Sequence, residues 1–140
     1  MKKLLCLALC LLFPVLSLFG CGGVARIESE EWVLASVSLY GEIVYASPDL
    51  IESAEGATAL ECTLKAKGGT LTITDATNDR VYTGVYGERG EPGPTTADHK
   101  VTFGTESGRA LIAHTTPTEG EALLTLTLTV DDYVLSFIAK

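Results

Sequence analysis

Four cysteines, two histidines and a scatter of carboxylates are the side chains of this 140-residue chain with the most chemistry to offer. Cys21 stands in LSLFGCGG, residues 16–23, where an apolar run stops and polarity begins. A thiol there can be a core residue, half of a disulfide or a point of covalent attachment. Cys62 lies in LECTLKA with Leu60 and Leu64 on the same side of an extended chain, which reads as a buried apolar thiol. A reactive thiol needs a histidine or cation to hold its thiolate, and the nearby Lys65 and Lys67 alternate to the opposite face. His99 shares a face with Val101 and Phe103, and His114 with Ile112, which places both at core margins of separate strands. The acid pairs Glu30–Glu31 and Asp131–Asp132 are adjacent, so on an extended chain they point to opposite faces and make poor general acid and base partners. DATND, residues 75–79, lacks the glycine and terminal glutamate of an EF-hand and reads as an Asx-rich turn. Neither G-x-S-x-G nor H-E-x-x-H occurs. The expectation is no catalytic residue, no metal site and no cofactor, hence no enzyme.

The segment before Cys21 decides among its three chemistries. Lys2 and Lys3 form a basic start, and residues 4–19 carry no charge, the layout of an export signal. That run is shorter than the roughly 20 residues a spanning helix needs, and Pro14 interrupts it, so cleavage is favoured over a permanent span. Leu18, Phe19, Gly20 and Cys21 resemble the lipobox of bacterial lipoproteins, in which the signal peptidase cuts before an acylated cysteine. The competing Leu7–Cys10 stretch has almost no apolar run ahead of it. The resemblance implies a signal peptide over 1–20, a tether over 21–30 with lipid (a palmitate-type acyl modification) on Cys21, and a folded domain over 31–140. Cys6 and Cys10 then leave with the signal, and Cys62 has no disulfide partner.

Charge narrows the partners. Lys2 and Lys3 depart with residues 1–20 and no acid does, so the net charge of −8 becomes −10 in the mature chain. Such a surface repels nucleic-acid phosphates and anionic headgroups. The expected location is the extracytoplasmic face of a bacterial cell membrane, with attachment through acyl chains on Cys21, for which two or more chains suffice. Ten residues from Gly22 to Glu31 give a reach of at most about 35 Å.

The body reads as strands: 31–39, 42–46, 59–66, 70–75, 80–86, 99–104, 109–115, 121–130 and 133–139, separated by turn residues in the spacing of an antiparallel barrel or sandwich. The alternation of Leu124, Leu126 and Leu128 with Thr125, Thr127 and Thr129 is the clearest. Gly68 and Gly69 predict a type I′ hairpin, and Asp131 with Asp132 a less ideal one. In SPDLIESAEG, Ser47 as cap, Pro48 in the first turn and Gly56 at the end predict a short helix covering one end of the sheet. GERGEPGP, residues 87–94, has too few repeats for collagen and reads as part of a long exposed loop over 87–98.

The tryptophan-led first strand, GEIV, GTLTIT, YTGVY and the final LTLT…YVLSF hairpin together resemble the lipocalin-like domains of small lipoproteins from gut and other anaerobic Firmicutes, over most of residues 31–139. The resemblance implies a small up-and-down antiparallel barrel of about 8–9 strands and brings no assigned activity. A closed sheet near eight strands has room for side chains or one small ligand, and Trp32, Phe103 and Phe137 can fill it. The expectation is a monomeric, mostly packed barrel acting as a binding module, for a small apolar ligand at its mouth or for another envelope protein through the 87–98 loop.

Overall fold

The computed structural model describes residues 26–88, 96–115 and 123–140. Ten strands form: β1 (Trp32–Leu39), β2 (Glu42–Ala46), β3 (Thr58–Ala59), β4 (Cys62–Lys67), β5 (Thr70–Asp75), β6 (Arg80–Glu88), β7 (Thr96–Phe103), β8 (Glu106–Thr115), β9 (Leu123–Val130) and β10 (Tyr133–Ala139). β4 to β10 run up and down in chain order, and β1 closes the ring by pairing with β10 along its length and with β4 at Trp32 and Val33. The result is an eight-strand antiparallel barrel of the predicted class, with β2 and β3 as extra strands beside it. Each of the eight strands has a paired neighbour on both sides, with the β1–β4 seam limited to two residue pairs.

Period-two alternation fills the interior. Leu34, Phe137, Leu126, Ile112 and Ala97 are cross-strand partners in sequence around the barrel, and all are buried. Trp32, Leu64, Leu71 and Val101 are fully buried as well. Each large apolar side chain so buried contributes about 1.5–3 kcal/mol. β1 keeps its alternation only by breaking it once: the register slips between Leu34 and Ser36, and this bulge turns Val37 inward where unbroken alternation would have sent Ser36. At the same place β1 leaves β4 and takes β2 as its neighbour.

The two ends of the barrel differ. At the N-terminal end lie the start of β1, the end of β10 and the Gly68–Gly69 turn, whose φ values of 58° and 84° are those of the predicted type I′ hairpin. The opposite end carries the turns after β1, β5, β7 and β9. There Tyr40 and Gly41, at φ 52° and 85°, make a second type I′ turn, while in the Asp131–Asp132 turn Asp131 alone takes positive φ, at 55°.

Several boundaries differ from the sequence reading. The strand expected over 59–66 divides into β3 and β4, because Leu60 N–H bonds Ala46 O at 2.9 Å and Glu61 N–H bonds Thr77 Oγ1 at 2.8 Å, holding the chain between the two. The helix expected in 47–56 is only a 3-10 turn, Ile51–Ser53, with no buried residue; Leu50, and not Ser47, precedes it, and it lies beside β2 instead of covering the barrel. That task falls to a 3-10 turn at Ile27–Ser29, within the stretch read as tether, where Ile27 is 2% exposed. The loop expected over 87–98 is narrower: β6 runs to Glu88 and β7 starts at Thr96, because the Glu88–His99 pairing extends the ladder and Ala97 and His99 face the core. Residues 89–95 and 121–122, and the proposed signal and lipidation site, lie outside the described residues.

Candidate functional site

Each chemically capable side chain can now be placed. Cys62 is a free thiol, 6% exposed. Burial, then the negative charges of Asp75 and Glu61, push its pKa up to about 11, which favours the neutral thiol at neutral pH. Lys65 faces outward, 3.9 Å from the Glu31 carboxylate. His114 is exposed at the end of β8, whereas His99 is buried with its ring edge-on to Tyr86, centroids 5.6 Å apart. The Tyr86 hydroxyl donates to the Glu28 carboxylate; burial first, then that bond, pushes the phenol up to about 12. Beside them the Trp32 indole N–H donates to Ile27 O at 2.9 Å. Trp32, Ile27, Glu28 and Tyr86 thus seal the N-terminal end as a structural cap.

The DATND stretch is an Asx turn. Asp75 Oδ1 accepts the Asn78 backbone N–H and Oδ2 accepts the Asn78 side-chain amide, both at 2.9 Å. Burial of Asp75 works against its ionisation, but the hydrogen bonds from Asn78 and Thr77 outweigh it and hold the carboxyl below its usual range. Asp98 and Arg109 pair in two parallel bonds of 2.8 Å on the outer surface, where such pairs add little stability. Asp131 and Asp132 are exposed in their turn, and Asp132 accepts from Tyr40. Among the described residues no three His, Cys, Asp or Glu side chains converge as metal ligands. Nor is any helix among them long and apolar enough to cross a membrane.

One concave feature of the described surface lies outside the barrel. An open cleft of about 520 Å³ runs between residues 42–44 of β2 and residues 53–56 after the short 3-10 turn. Glu42 and Glu55 stand on its two sides, and Ile43 in its lining exposes 47% of its surface; Tyr45, further along β2, and Leu50, ahead of the 3-10 turn, expose 38% and 41%. Sequence reasoning identified β2 and the adjoining turn separately without joining them. The available signal was that EIVYA alternates too weakly for a strand with a buried face.

Comparison with protein-family models, curated proteins and solved structures finds no match to this chain.

Proposed function

We propose that the chain is an extracytoplasmic bacterial lipoprotein, held to the cell membrane by acylated Cys21, whose lipocalin-like barrel is a non-catalytic module for contact with another envelope protein. The observation that carries this reading is the packing of the barrel: Trp32, Phe137, Leu34, Leu64, Ile112, Leu126 and Leu128 occupy the interior that a small apolar ligand would need. The burial of Ile27 adds an orientation. Only residues 22–26 separate Cys21 from this buried side chain, and five residues span at most about 18 Å. Half the reach expected from the sequence remains, so the capped end faces the membrane and the opposite end faces away. β1 covers eight residues, which sets the Tyr40–Gly41 turn roughly 25 Å further out.

Mass spectrometry of the detergent-solubilised native protein and of its solvent extract tests the reading. A chain beginning at diacylglyceryl-modified Cys21, with no stoichiometric co-extracted lipid, is the expected result. A stoichiometric apolar molecule would return the function to the barrel interior.

A further inference from the structure

Three features meet at the cleft beside β2. The first is an open sheet edge. β2 pairs with β1 on one side, and on the other β3 covers only Tyr45 and Ala46. In a two-residue hairpin the residues flanking the turn exchange the hydrogen bonds, here Leu39 and Glu42; the next pair, Ser38 and Ile43, therefore turns its N–H and C=O groups away from the partner strand. Ile43 presents a backbone donor and acceptor on the side where no strand of the described chain pairs with it.

The second is exposed apolar surface on β2 itself, Ile43 in the cleft lining and Tyr45 two residues on. The third is charge. Residues 40–61 contain five acids, Glu42, Asp49, Glu52, Glu55 and Glu61, and no lysine or arginine, and all five acids are exposed. The described cations lie elsewhere in the chain: Lys65, Lys67, Arg80, Lys100 and Arg109 on β4, β6, β7 and β8, and Arg26 and Lys140 before β1 and after β10.

We propose that this cleft receives an extended, basic peptide segment of a partner protein, which adds to the free edge of β2 while its Lys or Arg side chains meet Glu42 and Glu55 and its apolar side chains cover Ile43 and Tyr45. Backbone pairing would supply register and the acidic rim selection for cations. The inference rests on the reading of the domain as an interaction module and names the chemistry of its partner. It is independent of the anchor.

The test is fluorescence anisotropy of a labelled alternating Lys/Val heptapeptide, and of its Glu/Val counterpart, titrated with the full chain in detergent at low salt. Saturable binding of the Lys/Val peptide alone is expected. Glu42→Lys combined with Glu55→Lys should weaken it roughly tenfold or more, equivalent to about 1.4 kcal/mol. Ile43→Pro, which removes the outward N–H at an edge where proline is tolerated, should do the same with the circular dichroism spectrum retained. Glu106→Lys, at the start of β8, should leave binding unchanged. Equal binding of both peptides, or indifference to the Glu42 and Glu55 reversals, overturns the proposal. So does a concentration-dependent dimer that excludes the peptide, which would assign the edge to a second copy. Cys21→Ala should bind like the parent, so failure here and failure of anchoring are read separately.

Discussion

The indole N–H of Trp32 donates to the carbonyl oxygen of Ile27 at 2.9 Å, and both side chains are buried. Five residues apart, they fasten the chain ahead of the first strand into the end of the barrel. The packed body therefore includes Ile27, and a lipid on Cys21 would be held close to it.

The cap should be part of the cooperative unit. Ile27→Ala is expected to lower stability by about 2–4 kcal/mol through the cavity it leaves, and Trp32→Phe by at least about 1 kcal/mol through the lost hydrogen bond. Urea unfolding followed by circular dichroism measures both. An Ile27→Ala change within about 0.5 kcal/mol of the parent, the range of ordinary surface substitutions, would return residues 27–29 to the tether.

Cys62 should resist thiol reagents in the native protein at neutral pH and react promptly in denaturant. Its raised pKa also has a thermodynamic signature. Between the unfolded value near 9 and the folded value of about 11, the unfolded chain has lost a proton that the folded chain retains, so stability falls as pH rises through that window. Below pH 9 both states are protonated and the contribution is constant. The slope is at most about 1.4 kcal/mol per pH unit, and Cys62→Ala should remove that part of the alkaline loss. Denaturant midpoints for the two proteins at pH 8 to 11 decide it; parallel curves would mean that the thiol is not buried as described.

Two strand glycines should tolerate a methyl group unequally. A Cβ on Gly84 would lie 2.7 Å from the Phe103 ring and 2.8 Å from the backbone oxygen of Thr102, whereas one on Gly108 would lie 2.1 Å from the backbone oxygen of Thr129. A ring can move further than a paired strand. Gly84→Ala is expected to cost about 1–3 kcal/mol, partly relieved by Phe103→Leu, and Gly108→Ala to cost more with no relief from Val130→Ala. Thermal melts of the four variants rank them, and relief at Gly108 would contradict the geometry.

What could be read from the sequence divides along physical lines. The Leu124–Thr129 alternation and the Gly68–Gly69 turn were legible because period two and positive φ are local properties of the residues themselves. Ile27 was not, since one apolar residue among polar neighbours has no periodicity and only the barrel gives it a place to be buried. The bulge in β1 was equally hidden: WVLASVSL can be aligned as one unbroken strand, and the slip is forced by the need to leave β4 for β2. The cleft depends on β2 and the 51–53 turn coming together in space. Cys21 was marked by a linear pattern alone, and the fold adds to it only the short distance to Ile27.

Fractionation of cells expressing the parent chain and Cys21→Ala tests the lipid anchor. The parent should be found in the membrane fraction with its first 20 residues removed. The variant should move to the soluble fraction or remain uncleaved, with no acyl mass on the chain in either case. A Cys21→Ala protein that is still cleaved at the same place and still partitions with membranes would contradict the lipid anchor and require a membrane-binding face elsewhere on the barrel.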